Sequence, residues 1–276
     1  MRQAEKVDLG SDDWTMEIRP YASAFHFPIK ELWEYRDLLF LFVRRDFKTM
    51  YKQTILGPAW ILLSPLLTTG MFSLIFGRIA GISTDGTPAF LFYMAGNILW
   101  NYFSSCLSAA SSTFIGNAGL FGKVYFPRIV VPASSAVSKL ITFGAQFLLF
   151  LILLFCSLGS GQVRITWLCL MTPVLLVMLA LLAIGTGMIL ASLTAKYRDL
   201  QVLVGFGVQL WMYASPIVYP LSQIPGKWRI LLSLNPVAYI VECFRYGWER
   251  HCFHTESDDR AGDHPADFVC RNGDVQ

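Results

Sequence analysis

Five long stretches of the chain contain no Asp, Glu, Lys or Arg, and they limit its possible folds more than any other feature. They are 24 to 37 residues long and cover residues 53–77, 86–122, 140–163, 165–195 and 200–226. A helix that crosses a membrane needs about 20 predominantly apolar residues. Backbone in lipid must satisfy its own hydrogen bonds, and these stretches do not alternate as barrel strands do. The sequence therefore predicts an all-α, polytopic helical bundle in a membrane.

The composition agrees with a membrane protein. Hydrophobic residues make up 54% of the chain and charged residues 15%, whereas soluble domains contain about 25% charged residues. The net charge of +3 is too small to indicate a nucleic-acid partner. The six cysteines include no CxxC pair, so we expect neither a metal site nor a disulfide framework.

The charged residues between the stretches define the organisation of the chain. We expect a cytosolic leader at 1–30, an amphipathic interface helix at 31–51 and a transmembrane domain at 52–248. A surface helix of a soluble domain is the alternative for 31–51. The predicted spans cover about 58–76, 89–110, 131–158, 167–193 and 200–219, followed by a re-entrant hairpin at 220–236 and a polar, acidic tail at 249–276. Thirteen Lys and Arg on one side against four on the other predict a cytosolic N-terminus.

The motifs of energy-converting and catalytic proteins are absent from the sequence. It contains neither GxxxxGK[ST] nor HExxH, so we expect no nucleotide hydrolysis by this chain and no catalytic residues. The predicted spans contain no Asp, Glu or His, the residues on which proton- and sodium-coupled transporters depend. Any driving force must then come from another protein.

The predicted spans contain aromatic side chains that could line a path for a substrate. Their rings present apolar faces on which sugars can stack, while Tyr and Trp also offer a hydrogen-bonding tip. The alternative is an aromatic belt at the membrane interface, or simple packing. The candidates for a substrate path are Trp60, Tyr93, Trp100, Tyr102, Phe103, Trp211 and Tyr213.

Four motifs, in order along the chain, resemble the permease subunits of ABC-2 type polysaccharide exporters. They read RDLLFLFVRRDFKTMYKQTILGPAWILLSP at 36–65, GKVYFPRIVVP at 122–132, KYRDLQVLVGFGVQLWMYASPIVYP at 196–220 and LNPVAYIVECFRYG at 234–247. The likeness is greatest to the O-antigen exporters of Gram-negative bacteria, and the same family exports capsule and teichoic-acid polymers. It covers most of residues 31–248.

The resemblance implies a transport permease of the bacterial inner membrane and not an enzyme. Two copies of the chain would form a homodimer bound to two copies of a separate ATPase. ATP and Mg would bind to that ATPase, and this chain would bind no cofactor. The implied substrate is a polysaccharide carried on undecaprenyl diphosphate. The family continues after FRYG with a sixth span, where this chain has the acidic tail.

The resemblance also implies roles for individual residues. Arg44, Arg45 and Lys52 would attract the diphosphate at the entrance, with anchoring to anionic lipid as the alternative. The loop that couples to the ATPase would contain Asn117, Gly119, Phe121, Lys123, Tyr125 and Arg128. The outward-facing gate would contain Pro216, Pro220 and Pro225.

Two other functions stay open at this point. One is an integral-membrane transferase that acts on lipid-linked sugars, which would need a catalytic carboxylate or His near the interface. The carboxylates close to span ends, Asp46, Asp85 and Asp199, are isolated in the sequence. The other is a similar permease for drugs or small lipids.

Overall fold

The computed structural model of the chain describes residues 33–51, 59–158, 165–224, 232 and 234–248. Every regular element within these ranges is a helix, as the charge-free stretches predict. The expected leader at 1–30 and the acidic tail at 249–276 lie outside the described residues. So do residues 225–231 and 233 of the expected re-entrant hairpin at 220–236.

Nine α-helices form the described part of the protein. They are α1 Arg36–Tyr51, α2 Ala59–Phe72, α3 Ala89–Ser111, α4 Thr113–Gly116, α5 Ala118–Phe121, α6 Val130–Leu158, α7 Thr172–Lys196, α8 Leu200–Tyr213 and α9 Pro236–Trp248. A π-helical turn, Ser73–Ile79, extends α2, and a 3₁₀ turn, Trp167–Met171, leads into α7.

Three helical stretches are long and apolar enough to cross a membrane. They are Ala59–Ile79, Val130–Leu158 and Trp167–Lys196, and they coincide with the predicted first, third and fourth spans. The predicted second span forms α3, which has 23 residues but is less apolar because it contains Asn97, Asn101 and several serines. The three stretches support a membrane protein.

The helix expected at 200–219 is shorter than the sequence predicts. It forms α8, which has 14 residues and ends at Tyr213, six residues before the expected end. The backbone then turns, and the amide of Ile217 bonds back to the carbonyl of Ser215 at 2.7 Å. Pro216 has no amide hydrogen to continue the helix. The apolar residues continue through Tyr219, whereas the helix does not.

The core of the bundle is α3, and most of its residues are buried from Leu91 to Ser111. It packs against α2, α6, α7, α8 and α9. Gly187 of α7 allows the closest approach, since a Cβ added there would lie 2.5 Å from the Cβ of Ala110. The hydroxyl of Thr194 donates to the carbonyl of Ser111 at 2.9 Å nearby. These contacts fix the end of α3 from which the next segment leaves.

Large apolar side chains cover the outer faces of the long helices. Examples are Leu148 and Phe155 on α6 and Ile189 on α7, which are 61%, 61% and 65% exposed. Side chains of this kind on the outside of a bundle suit contact with lipid tails, which are as apolar as Leu.

Candidate functional site

The segment between α3 and α6 is a folded unit with an apolar inner side. We call residues 113–128 the connecting segment. Phe121 packs against Phe126 and Phe114, with ring centroids 5.4 and 6.0 Å apart. Asn117 closes the turn between α4 and α5, because its carbonyl accepts the amides of Leu120 and Phe121 at 3.0 and 3.1 Å. Phe121 and Asn117 thus build the segment from within.

The outer side of the connecting segment is exposed and basic. Gly119, Lys123, Tyr125 and Arg128 are exposed, and the guanidinium carbon of Arg128 lies 5.7 Å from the ring centroid of Phe114. Of the six residues that the resemblance assigns to the coupling loop, these four form a surface that another protein could contact. The other two, Asn117 and Phe121, are half-buried.

Helix α1 packs directly on the connecting segment. Phe42 is 6% exposed, and its ring centroid lies 5.9 Å from that of Phe126. The same cluster includes the first residues of α6, Val130 and Val131. Around it pack Tyr35, Leu38, Leu39, Leu120 and Phe121. One apolar cluster therefore joins α1, the connecting segment and α6.

The cations expected at the entrance lie on the outside of α1. Arg44 and Arg45 are exposed. Arg45 bonds to Asp46 at 2.9 Å, and its guanidinium carbon lies 4.8 Å from the ring centroid of Phe42. Lys52 lies outside the described residues. Apolar side chains are exposed on the same helix, with Phe40 and Leu41 at 67% and 60%. Its placement in a membrane interface stays a prediction.

The aromatic candidates separate into a buried group and two exposed residues. Tyr93, Trp100, Tyr102 and Phe103 of α3 are 0–5% exposed. Phe103 connects to Trp100 and to Trp211 of α8, with ring centroids 5.4 and 5.2 Å apart. Because this group is packed inside one protomer, sugars would reach it only if the packing opened.

Trp60 and Tyr213 have a different setting. They are 54% and 47% exposed, and no ring contact joins them to the α3 group within the described ranges. Their exposure suits contact with lipid, a second chain or a substrate. The structure therefore does not bring the seven aromatic candidates together in one protomer.

The prolines expected at the gate lie after α8. Pro216 and Pro220 are both buried, and Pro225 is outside the described residues. The carbonyl of Pro216 accepts a hydrogen bond from Nη1 of Arg245 at 2.6 Å. The side chain amide of Asn235 donates to the hydroxyl of Ser215 at 2.8 Å. The backbone that contains Pro216 is thus held by two residues of the α9 region.

Sequence reasoning missed both Asn235 and Arg245. A signal for Arg245 was present, because it follows Val237 and Val241 at intervals of four residues and so continues an apolar face of α9. A cation on such a face is buried and needs partners. Asn235 precedes Pro236, and its side chain oxygen accepts the amide of Val237 at 3.1 Å as a helix cap.

Comparison with protein families gives a match over most of the chain. The model described as ABC-2 type transporter matches residues 37–248, a range that includes the connecting segment, α9 and all of α1 except Arg36.

Individual relatives are similar over comparable lengths. An O-antigen export system permease protein RfbA of Myxococcus xanthus is 30% identical over 225 residues, which are 81% of this chain and 84% of the relative. A protein of the same name from Klebsiella pneumoniae is 27% identical, over 76% of this chain and 79% of the relative. The polysialic acid transport protein KpsM of Escherichia coli is 26% identical, again over 76% of this chain and 79% of the relative. The chain therefore belongs to the ABC-2 type transporter family.

Proposed function

We propose that this chain is the transmembrane permease subunit of an ATP-driven exporter that moves lipid-linked polysaccharide across the bacterial inner membrane. Its N-terminus would lie in the cytosol, and its substrate would be an O-antigen-like polymer on undecaprenyl diphosphate. The names of the relatives support a polysaccharide, because they refer to O-antigen and polysialic acid.

The apolar cluster of Phe42 and Phe126 is the observation that carries the proposal. It joins the exposed, basic side of the connecting segment to α1. Lys123, Tyr125 and Arg128 would contact an ATPase subunit, to which the ATP and Mg would bind. Since packed side chains transmit displacement with little compression, a push on the connecting segment would move α1 with it.

Helix α1 would then form the entrance for the diphosphate. Arg44 and Arg45 are exposed beside the cluster, and guanidinium groups can bind phosphate through paired hydrogen bonds. Lys52 would add a third cation. The substrate's charged head would then lie on the element that the ATPase moves.

Two copies of the chain would enclose the path of the polymer. None of the residues of α8 is buried, and Val202, Leu203, Phe206 and Leu210 are 62–69% exposed. By contrast, α3 is enclosed within its own protomer. A homodimer that covers the outer face of α8 would leave the polymer path between the protomers, with the exposed Trp60 and Tyr213 available to it.

The carboxylates give little support to a transferase. Asp46 is paired with Arg45, whereas Asp85 accepts hydrogen bonds from Ser222 at 2.9 Å. Within the described part of the chain, no group of three or more His, Cys, Asp or Glu could hold a metal ion. A permease for drugs or small lipids differs from the proposal in its substrate, so transport of a lipid-linked polymer separates the two.

Purification in detergent with the ATPase encoded nearest to the chain tests the proposal. We expect a stable complex with ATPase activity, which the double substitution Lys123→Glu and Arg128→Glu weakens. The matched control is Arg78→Glu, because Arg78 is exposed at the other end of the bundle, and it should leave the complex intact. If no ATPase binds the parent chain, or if both charge reversals have equal effects, the proposed coupling surface is wrong.

A further inference from the structure

A proline interrupts the hydrogen bonding of α2. Pro65 lies inside this helix, and proline has no amide hydrogen. The carbonyl of Ile61, four residues earlier, therefore loses the partner that an α-helix normally provides. The helix belongs to one of the three stretches that are long and apolar enough to cross a membrane, and lipid offers no water in its place. The carbonyl of Ile61 thus needs a donor from another helix.

Gln146 of α6 supplies that donor. Its Nε2 donates to the carbonyl of Ile61 at 3.4 Å, and the residue is 6% exposed. Its neighbours on this face of α6, Phe143 and Phe150, are buried apolar residues. A buried amide is costly unless it has a hydrogen-bond partner, and the carbonyl left free by Pro65 is such a partner. Each of the two polar groups therefore satisfies the other.

Asn97 of α3 holds α2 on the other side of Pro65. Its Nδ2 donates to the carbonyl of Pro65 and to the hydroxyl of Thr69, in both cases at 3.4 Å. Asn97 and Thr69 are 2% and 0% exposed. Helices in lipid have little hydrophobic reason to associate, so hydrogen bonds of this kind contribute to their packing. Asn97 thus anchors the second half of α2 to α3, whereas Gln146 anchors the first half to α6.

The anchored face of α2 is not the face that it exposes. Ile61, Pro65 and Thr69 follow one another at intervals of four residues and so lie on one side of the helix. Trp60 lies on another side and is 54% exposed. Because Trp60 directly precedes Ile61, the bond from Gln146 holds the backbone from which the Trp60 side chain extends.

We propose that Gln146 is a positioning residue that replaces the hydrogen bond lost at Pro65 and so holds the first half of α2, with Trp60, in a fixed orientation to α6. Helices commonly bend at a proline, and a bond to the carbonyl four residues before the proline limits that bending. The inference rests on the proposed function and deepens it, because it names the residue that sets the position of Trp60 beside the polymer path.

A double-mutant cycle with Pro65 tests the proposal without any transport. Pro65→Ala restores an amide hydrogen for the carbonyl of Ile61, so the bond from Gln146 is no longer needed there. Gln146→Met keeps the length of the side chain and removes its amide. We expect Gln146→Met to raise the unfolding equilibrium constant in SDS about threefold to tenfold in the parent. In the Pro65→Ala background its effect should be much smaller.

The two backgrounds separate the hydrogen bond from simple packing, because a packing effect of methionine would be equal in both. Asn97→Ala is the control, since it removes the anchor on the other side of Pro65 and should have similar effects in both backgrounds. If Gln146→Met does not fold, Gln146→Asn replaces it, because it withdraws the amide by one carbon–carbon bond. Equal effects of the Gln146 variant in the two backgrounds, or an equal dependence of both variants on Pro65, would overturn the proposal.

Distances between spin labels test the orientation of α2 directly. Labels at Ser64→Cys and Gly144→Cys lie on exposed parts of α2 and α6, with the six native cysteines replaced by alanine. Labelled chains are diluted with unlabelled ones, so that only distances within one chain are measured. We expect a broader distance distribution in Gln146→Met and a narrower one again when Pro65→Ala is added. A distribution that Gln146→Met leaves unchanged would contradict the positioning role.

Export by the same variants connects the position of Trp60 to transport. Gln146 lies about 24 Å along α6 from Val130, at 1.5 Å per residue, so the basic surface of the connecting segment should still bind the ATPase. We expect Gln146→Met to lower export per ATP hydrolysed and Pro65→Ala/Gln146→Met to recover part of it. No recovery, with α2 again in its narrow distribution, would contradict the role at the path. If the parent exports nothing, the proposed function fails, and the unfolding cycle and the label distances alone decide whether Gln146 positions α2.

Discussion

Phe42 and Phe126 lie with ring centroids 5.9 Å apart, and both are nearly fully buried at 6% and 5% exposure. This contact is the direct link between α1 and the exposed side of the connecting segment. We expect Phe42→Leu and Phe126→Leu to be non-additive, with a coupling energy of about 0.5–1.5 kcal/mol, the range for aromatic pairs. The coupling energy is obtained from the free energies of unfolding, measured by SDS titration, of the parent, the two single variants and the double variant.

The same pair should affect transport more than ATP hydrolysis. If the contact transmits displacement, Phe42→Leu should lower export per ATP hydrolysed while the ATPase still binds. A matched control is Phe155→Leu on α6, because Phe155 is 61% exposed on the outer face. Equal losses in the two variants would show that the cluster has no special part in coupling.

Gly96→Ala should destabilise the protein by about 1–3 kcal/mol, the usual cost of overpacking. The added Cβ meets Arg245 at 2.6 Å and the backbone of Ile217 at 3.1 Å, and the backbone cannot easily yield. Gly144→Ala on α6 is the control, since nothing lies within 4 Å of its added Cβ. It should be neutral or stabilising by up to about 1 kcal/mol. Thermal unfolding in detergent compares the two, and similar midpoints would refute the close approach at Gly96.

Gly187→Ala should separate α7 from α3. Its Cβ would lie 2.5 Å from the Cβ of Ala110 and 3.1 Å from the carbonyl oxygen of Leu107. We expect a loss of about 1–3 kcal/mol. Gly185→Ala, two residues away, has nothing within 4 Å and should be harmless.

A second substitution tests that the loss comes from this contact. Ala110→Gly removes the nearest clashing atom, so the double variant Gly187→Ala/Ala110→Gly should recover part of the lost stability. The Leu107 carbonyl remains in place, which limits the recovery. No recovery at all would place the cause outside the α3–α7 contact.

Arg45→Gln and Arg44→Gln should weaken binding of a lipid-linked diphosphate about tenfold each, because hydrogen bonds to charged groups contribute about 1.5–3 kcal/mol. The control is Arg36→Gln on the same helix, where Arg36 lies 5.6 Å from the ring centroid of Trp33. The apparent KM for the lipid-linked substrate in vesicles of neutral lipid measures the effect. If the cations only anchor α1 to anionic lipid, the three variants will have the same KM in such vesicles.

Much of the helical architecture follows from local features of the sequence. Charge-free stretches of membrane length predict α2, α6 and α7 because hydropathy depends only on neighbouring residues. The early end of α8 depends on Pro216 and the turn behind it, which an apolar run conceals. The burial of Tyr93 and Phe103 depends on α3 being the central helix, and hydropathy alone does not rank helices by depth.

The contacts of Arg245 were beyond sequence reasoning for a different reason. The carbonyls that bind Arg245 belong to residues 28, 29 and 153 positions away in the chain, and no local pattern links them. The buried cation on the apolar face of α9 could have indicated that partners exist, but not which ones. The basic surface of the connecting segment was found because Lys123 and Arg128 lie close together in the sequence.

Transport by reconstituted protein tests the central claim most directly. The chain and its ATPase are placed in vesicles with an undecaprenyl-diphosphate-linked polysaccharide, and polymer that crosses the membrane is measured with ATP, without ATP, and with the Lys123→Glu/Arg128→Glu variant. We expect transport only with ATP and a clear loss in the variant, because the push from the ATPase no longer reaches Phe126 and Phe42. Polymer transport that is equal with and without ATP, or no transport while the ATPase is bound and hydrolysing ATP, would contradict the account.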